Sequence, residues 1–545
     1  MLKNNLTPKK INIIGAGISG LAVGCYLQMN GFNTEIFEKN PTAGGLCTSW
    51  NNKGYTINGS LHWLLGSNAS NPFHRLWSEL VDMDSVEFVN HDIRVEFEVK
   101  DTRNKHGDNV FRLYTNLDRL ESYLLDLAPE DEKMIRRLIR SMRKFQQFEI
   151  PPVVDSMPKY LPLNRKMGMI KYLPLLYEFM KWRNVTNYSF AGKLKNPFLK
   201  EAFQLLYDGE EVKILIMTVP LAYYDKQGAG YPIGGSYRFI QRIEQRYLSL
   251  GGKIRYEAEV EKIITENDAA TGLLLKDGDS IYSDLTISAA DWYFTVFKAL
   301  GGKFVNKDII SLKNLEKLQV YPSIFMVSLG VAGSLEEWPH FFRYPMPETL
   351  YSPDGMKYDR FEVHIYNYDP TLAPEGKTLL SVSFNTDYGD YWIDLYQSDR
   401  QEYDRAKGEF AEKIIGILDK KITGIREKIE VIDISTPATI NRYTNSWKGS
   451  AQGWFPGKNL VARFPVKMEL PGLKNFYYSS HWSVPGGGLP VSIKSARDLA
   501  QTICHNNGIK FITNKPTDSF REKRKVKSEK RKVKSENKEP RTKNQ

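Results

Sequence analysis

The stretch INIIGAGISGLAVGCYLQMNGFNTEIFEKN, residues 11–40, contains the pattern that decides the fold. It begins with an apolar, mostly β-branched run at 11–14, which is typical of a buried parallel strand. A segment with helical periodicity follows at 18–29, and a second strand-like run comes at 34–37. A strand, a glycine-rich turn, a helix and a second strand predict a βαβ unit at the start of an α/β fold.

The glycines of the turn have the spacing G-x-G-x-x-G, at Gly15, Gly17 and Gly20. The first permits a tight turn, the second lets the backbone approach a pyrophosphate, and the third allows the helix to pack closely on the strand. The helix N-terminus supplies free N–H groups, and Glu38 stands where a carboxylate accepts hydrogen bonds from ribose hydroxyls. Because an acid there selects a free 2′-hydroxyl, the pattern predicts binding of FAD or NAD rather than NADP.

Length and composition limit the remaining possibilities. A chain of 545 residues exceeds what a single core usually supports, which predicts two domains. The three cysteines have no metal-ligand spacing, so neither a disulfide framework nor a metal site is expected, and a reducing compartment fits. The opening MLKNNLTPKK leads directly into the first strand and leaves no room for the apolar part of a signal peptide. We therefore expect a cytoplasmic protein.

The net charge of +11 is concentrated at the C-terminal end. Residues 521–545 carry 12 Lys and Arg against 4 Asp and Glu, and the heptad EKRKVKS occurs at 522–528 and again at 529–535. A segment with so few apolar residues cannot bury enough surface to fold, which predicts a disordered basic tail over 513–545. Such a tail either touches anionic lipid or has no specific partner, and no specific nucleic acid is expected.

A second glycine pair, Gly44-Gly45, follows the ribose acid within KNPTAGGLCTSWNNKGYTINGSLHWLLGS at 39–67, and His62 comes later in the same segment. This segment resembles the flavin-binding N-terminus of the phytoene desaturase family, which shares one large FAD fold with amine oxidases and Rab GDP-dissociation inhibitors. The wider family usually has Arg directly after the pair, where Leu46 stands here. The Cys-Thr-Ser-Trp run that follows resembles the branch of retinol saturases and carotenoid isomerases.

Two later parts of the chain carry the same resemblance. Residues 230–268 are similar to the family's return to the FAD domain, and Val260 stands where relatives bind adenine through the backbone. The run LTISAAD at 285–291 is similar to the strand and turn that leave that domain again. Residues 470–504 resemble the closing FAD motif, in which the glycine-rich loop at 485–490 opens a helix that faces the flavin.

The resemblance implies FAD as the cofactor and a set of residues that hold it. His62 is the polar side chain expected nearest the flavin ring, either as a catalytic residue or as a structural histidine beneath it. Many relatives have an acid before the closing loop, where Ser480, His481 and Trp482 stand here. The cofactor-binding residues implied are Gly15, Ala16, Gly17, Ser19, Gly20, Glu38, Lys39, Gly44, Gly45, Leu46, Thr48, Val260, Gly487, Gly488 and Pro490.

The implied fold is a Rossmann-type FAD-binding domain of the amine oxidase and GDI-like kind, interleaved with an α+β substrate domain. The FAD-binding domain is expected at 1–92, 226–300 and 455–512, and the substrate domain at 93–225 and 301–454. Alternating apolar and polar residues predict strands in the substrate domain, whose sheet is expected to line a cavity. These strands are predicted at 93–99, 323–331, 361–368 and 378–385.

Residues 167–183, MGMIKYLPLLYEFMKWR, are unusually apolar and aromatic, with cations around them. The segment is too short and too charged to span a bilayer. It could lie in the membrane interface with its aromatic residues inserted, or it could pack on the core. The sequence is compatible with both the membrane position and the core position of this segment.

The resemblance thus implies an FAD-dependent oxidoreductase that acts on carbon–carbon double bonds of a long apolar polyene or isoprenoid, similar to a carotenoid or retinoid. Desaturation, saturation and isomerisation by hydride transfer at the flavin all stay open. Tyr443 and Trp447 resemble a family segment that lines the cavity, although packing in the core is an equal alternative. A flavin-dependent amine oxidase and a non-redox lipid escort protein are the alternative functions, and the intact glycine motifs argue against the escort protein.

Overall fold

The computed structural model describes residues 9–146, 173–207, 212–455 and 466–516. Most of the predicted basic tail, from 517 on, and residues 167–172 of the apolar segment lie outside the described residues. Helices and strands are numbered in chain order below.

A five-stranded parallel sheet forms around the N-terminal strand. It consists of β1 (Lys10–Ile14), β2 (Asn33–Phe37), β9 (Lys253–Arg255), β13 (Leu285–Ser288) and β21 (Phe476–Tyr478). The strand order is β21-β13-β1-β2-β9, and every neighbouring pair is parallel. The sheet therefore brings together strands that are several hundred residues apart in the chain.

The first helix, α1 (Ile18–Met29), connects β1 to β2 and packs against α9 (Gly235–Ser249) and α14 (Gly488–Asn506). Its glycines permit a very close approach. A β-carbon on Gly20 would lie 1.9 Å from the carbonyl oxygen of Gly15, and one on Gly24 would lie 2.6 Å from the ring of Tyr247. Sequence analysis predicted α1 with these bounds, and the structure confirms them.

A seven-stranded mixed sheet forms the second large layer, in the order β19-β15-β18-β17-β16-β6-β7. All its pairs are antiparallel except β6 with β16. The four strands predicted by alternation are all present in it, as β6, β15, β17 and β18. The bounds are β6 (Ile93–Glu98), β7 (Val110–Tyr114), β15 (Ser323–Ala332), β16 (Phe341–Tyr351), β17 (Lys357–Ile365), β18 (Lys377–Thr386) and β19 (Ile429–Ser435).

Four smaller sheets are separate from the two large ones in the described residues. The strands β10 (Val260–Glu266), β11 (Ala269–Leu275) and β12 (Ser280–Tyr282) form an antiparallel meander. The remaining strands pair in twos: β3 (Ser49–Asn52) with β4 (Tyr55–Asn58), β5 (Phe88–Val89) with β8 (Tyr231–Pro232), and β14 (Gln319–Val320) with β20 (Trp454–Phe455).

Helices cover both sheets and supply separate hydrophobic cores. The further helices are α2 (Pro72–Leu80), α3 (Leu117–Leu127), α4 (Glu132–Gln146), α5 (Leu173–Trp182), α6 (Asn187–Ala191), α7 (Pro197–Gln204), α8 (Leu215–Asp225), α10 (Lys307–Lys313), α11 (Gly389–Ser398), α12 (Arg400–Lys421) and α13 (Pro437–Thr444). None of the described helices combines the length and the apolar character that crossing a bilayer requires.

The two large sheets draw on different parts of the chain, 10–37, 253–288 and 476–478 for the parallel sheet and 93–114 and 323–435 for the mixed one. The exact domain boundaries stay a prediction.

The first residues of the predicted tail contact the body of the protein. Thr513 donates a hydrogen bond to Glu79 at 3.1 Å, and the backbone carbonyl of Asn514 accepts one from Arg246 at 3.1 Å.

We predict that Gly24→Val destabilises the protein, because the added side chain overlaps the buried ring of Tyr247. Overpacking of this kind costs about 1–3 kcal/mol, so thermal unfolding should begin several degrees lower. The matched control is Gly408→Ala in α12, where a β-carbon meets no atom within 4 Å and where alanine favours the helix. Equal melting temperatures for the two variants would show that α1 does not lie as close to α9 as described.

Candidate functional site

A cavity of about 1060 Å³ lies between the parallel sheet and the seven-stranded sheet. On one side it is lined by residues that follow β1, β2 and β13, at the carboxyl ends of these parallel strands. On the other side it is lined by residues of β15, β17 and β18. Ligands of open α/β sheets bind at the carboxyl ends of the strands, so the cavity is the candidate site.

The N-terminus of α1 opens into this cavity. The residue that precedes the helix, Gly17 at the N-cap, has no side chain to cap it. A β-carbon on Gly17 would meet no atom nearer than the oxygen of Gly44 at 4.0 Å. The hydroxyl of Ser19 is buried and has no hydrogen-bond partner among the described residues. Uncapped N–H groups and an unpaired hydroxyl beside open space suit a phosphate group.

The acid at the end of β2 is buried beside the same turn. Glu38 accepts hydrogen bonds from the backbone N–H of Ala16 at 2.7 Å and from the side-chain amide of Asn40 at 2.7 Å. Burial raises the pKa of this carboxyl, whereas the hydrogen bonds act in the opposite direction. Lys39 points its amine to Asn445 at 2.8 Å. The acid is therefore held in place at the edge of the cavity, where a ribose could reach it.

Most of the residues that the resemblance implied for the cofactor line this one cavity. Two do not: the N–H of Ala16 holds Glu38, and Gly20 packs against Gly15. The lining residues of the implied set are Gly15, Gly17, Ser19, Glu38, Lys39, Gly44, Gly45, Leu46, Thr48, Val260, Gly487, Gly488 and Pro490.

The closing loop places a second uncapped helix N-terminus at the cavity. Helix α14 begins at Gly488, and its preceding residue Gly487 has a φ of 51°. A β-carbon on Gly487 would lie 1.8 Å from the carbonyl oxygen of Gln452, so only glycine fits there. His481 also lines the cavity, and its Nε2 is buried without a hydrogen-bond partner among the described residues. Burial lowers the pKa of His481 to about 4, so a neutral imidazole stands where many relatives have an acid.

A row of rings crosses the floor of the cavity on the seven-stranded sheet. His62 stacks on His364 at 4.3 Å, and His364 stacks on Phe341 at 4.0 Å. The guanidinium carbon of Arg94 lies 5.2 Å above the ring of Phe341. His62, Arg94, Phe341 and His364 all line the cavity. Burial, followed by the charges of its neighbours, lowers the pKa of His62 well below its ordinary value, so this imidazole is neutral.

The charged pair beside this row consists of Glu362 and Arg343, whose nearest atoms are 3.0 Å apart. Burial alone would raise the pKa of the Glu362 carboxyl, but Arg343 and His364 together lower it to about 2. The carboxylate is therefore ionised and compensated by Arg343.

Sequence reasoning singled out His62 but not Arg94, Glu362 or His364. A weak signal was present, because polar residues interrupt the apolar pattern of the strands that carry them. Tyr443 lines the cavity, whereas Trp447 stacks on Tyr293 at 4.8 Å and is not among the lining residues.

Comparison with known proteins identifies the family of the chain. The chain matches the family described as flavin containing amine oxidoreductase over residues 18–504. A 4,4'-diaponeurosporene oxygenase of Staphylococcus haemolyticus is 25% identical over 91% of this chain and 97% of that protein. A 4,4'-diapophytoene desaturase of a Methylomonas species is 25% identical over 92% of this chain and 96% of that protein.

The fold is also found among solved structures. The crystal structure of an oxidoreductase from Methanosarcina mazei has a TM-score of 0.55 and 20% identity, and the match covers 90% of this chain and 100% of that one. The predicted fold class is thereby confirmed, and the cavity offers the uncapped helix ends and glycine turns that FAD requires. The chain belongs to the family of flavin containing amine oxidoreductases and is an FAD-dependent oxidoreductase.

Proposed function

We propose that the protein acts on carbon–carbon double bonds of a long conjugated polyene or isoprenoid, by desaturation, saturation or isomerisation. The observation that carries the proposal is that one continuous cavity runs from the glycine-rich turns to the seven-stranded sheet. It is large enough for a cofactor and part of an extended substrate. The names of the two relatives, an oxygenase and a desaturase of diapocarotenoids, support a polyene as the substrate class.

We propose that the two uncapped helix ends hold the charged and the ring portions of FAD. The N-terminus of α1, with Ser19, would take the pyrophosphate, and Glu38 would bind the ribose. The N-terminus of α14 would face the ring. Leu46 offers no cation at the position after the glycine pair, so helix N–H groups would carry more of the phosphate charge than in relatives with arginine.

When bound, FAD supplies a two-electron hydride acceptor or donor. The chain's own residues would position a carbon of the substrate and exclude water. His62 is proposed to meet the substrate beside the ring, as a neutral imidazole held flat on His364. Because its pKa lies well below its ordinary value, it would contribute by contact and orientation and would not supply a proton at neutral pH.

The charge of Arg94, beside the row of rings, disfavours the alternative of amine oxidation. An amine substrate enters as a cation at neutral pH. The lining residue Arg94 has no ion pair among the described residues, so it would repel that cation.

We further propose that α5 rests on a membrane surface. Its apolar side chains Leu173, Leu176, Tyr177 and Met180 are 58%, 54%, 70% and 44% exposed. Exposed side chains on the neighbouring helix α4 include Arg137 and Arg140, which suit anionic headgroups. An apolar face beside cations is typical of a helix that lies in the lipid interface, and a water-insoluble substrate would enter from there.

The same helix is anchored to the protein through its other face. Glu178 is fully buried and accepts hydrogen bonds from Lys144 at 2.8 Å and from Lys181 at 2.7 Å. Trp182 is also buried in the helical core. Both interpretations of this segment thus find support, because one face packs on the core while the other is exposed.

We predict that Gly17→Val abolishes FAD binding while the protein remains folded, because its side chain would occupy open cavity instead of packed protein. Flavin absorbance of the purified variant, together with its melting temperature, provides the test. Gly408→Val in α12 is the control, since it adds the same side chain in open space at a position that is not itself among the lining residues. Full FAD content in Gly17→Val would show that the cofactor does not pass this turn.

The function is tested by incubating the FAD-loaded protein with polyene lipids, with the flavin oxidised or reduced, and measuring products by mass. Loss of two hydrogens indicates desaturation and gain of two indicates saturation, whereas a product of unchanged mass that separates from the substrate by chromatography indicates isomerisation. His62→Gln should lower turnover at least tenfold with normal FAD content. His106→Gln, at an exposed surface position, should not. Failure to convert any polyene with either flavin state would contradict the proposed substrate class.

We predict that the double variant Leu176→Glu, Tyr177→Glu weakens binding to anionic phospholipid vesicles about tenfold, because a charge in the interface opposes insertion. The matched control is Leu248→Glu, Tyr282→Glu, which changes two exposed apolar side chains elsewhere. Vesicle sedimentation measures binding, and FAD absorbance verifies the fold. If both double variants bind vesicles like the wild type, α5 does not contact the membrane.

A further inference from the structure

Arg94 occupies an unusual position for a charged side chain. It lies near the start of β6, lines the cavity, and places its guanidinium carbon 5.2 Å from the ring centroid of Phe341 and 5.5 Å from that of Tyr224. Among the described residues it has no hydrogen bond and no ion pair. The cation is thus held between aromatic rings, with its donors left for something in the cavity.

Neighbouring arginines in the same part of the fold are paired. Arg112 lies 3.5 Å from Glu96, and Arg343 lies 3.0 Å from Glu362. Glu362 is the carboxylate that lines this end of the cavity, and Arg343 already compensates its charge. One positive charge at the floor of the cavity therefore has no counter-ion among the described residues.

The histidines around Arg94 are neutral, so they provide no counter-ion for it. His62, His91, His340 and His364 all have a pKa lowered first by burial, and Arg94 contributes to the lowering in each case. They are neutral at physiological pH and tolerate a cation among them. Arg94 is partly exposed where it lines the cavity, so its charge is available to an anionic ligand there.

The same floor carries further polar groups. Ser381, Ser383 and Asn385 of β18 all line the cavity, at the alternating positions of a strand that point to one face. In the sheet, Phe341 pairs with His364 and His364 pairs with Ser381. The guanidinium of Arg94 lies over the ring of Phe341, at the end of this row opposite the Ser381 hydroxyl. A pure hydrocarbon would leave the guanidinium of Arg94 without a polar partner.

We propose that the substrate is a polyene with a terminal carboxylate, and that Arg94 binds this carboxylate. The inference rests on the proposed function and narrows its substrate class. Arginine presents a planar pair of N–H donors that matches a carboxylate, and the rings of Phe341 and Tyr224 hold that plane in position. Anchoring one end of the chain beyond His62 fixes which carbon of the polyene lies beside the flavin.

The test measures binding to the FAD-loaded protein of two fluorescent probes, parinaric acid, a conjugated tetraene acid, and its methyl ester. The wild type should bind the acid about tenfold or more tightly than the ester, since only the acid carries the carboxylate that Arg94 recognises. Arg94→Met should remove this preference by weakening the acid alone. Arg94→Lys retains the charge but loses the planar pair of donors, and it should keep part of the preference.

Arg119→Met is the control, because Arg119 is an exposed arginine on α3, paired with Asp92. It should bind both probes like the wild type. If the wild type binds acid and ester equally, the inference is overturned while the proposal of a polyene substrate stands. If the wild type binds neither probe, both the inference and the proposed substrate class are wrong. If Arg94→Met fails to fold, Arg94→Lys still tests the assignment: an unchanged preference in that variant would show that the planar donors of Arg94 do not bind the carboxylate.

Discussion

The rest of the structure depends on the close approach that glycines permit between the first helix and its surroundings. A β-carbon on Gly20 would overlap the carbonyl oxygen of Gly15, and one on Gly24 would overlap the ring of Tyr247, so neither position admits a side chain. Because α1 lies this close, its uncapped N-terminus faces the carboxyl ends of the parallel strands. The free N–H groups and the glycine pair at Gly44 thereby border the same space.

The opposite wall of the cavity comes from the seven-stranded sheet, and its composition sets what the cavity can hold. His62, from the segment that follows the glycine pair, reaches across and stacks on His364 of β17. Apolar side chains such as Ile324 and Met326 line the wall beside the hydroxyl of Ser383. The wall therefore suits an extended apolar molecule with a polar end better than a uniformly apolar one.

The orientation of α5 follows from one buried acid. Glu178 has no exposed surface, and its charge is stabilised by Lys144 and Lys181. The hydroxyl of Ser141 and the indole N–H of Trp182 also donate hydrogen bonds to it. Keeping these bonds fixes the rotation of the helix about its axis. The side chains of Leu176 and Tyr177 then face outward, because they occupy the other side of the same helix. An electrostatic requirement in the interior thus decides which apolar surface the protein presents.

The sequence by itself determined the features whose signals are local. The turn that opens α1, the bounds of that helix, and the strands of alternating pattern were all predictable, because a few neighbouring residues fix backbone conformation and the buried face. The position of Arg94 in the cavity was not predictable from the sequence. It lies over the ring of Phe341, from a segment about 250 positions later in the chain, only because β6 joins β16 in the seven-stranded sheet. Strand pairing at that distance depends on the packing of the whole chain, so only the tertiary structure decided which polar residues share the cavity.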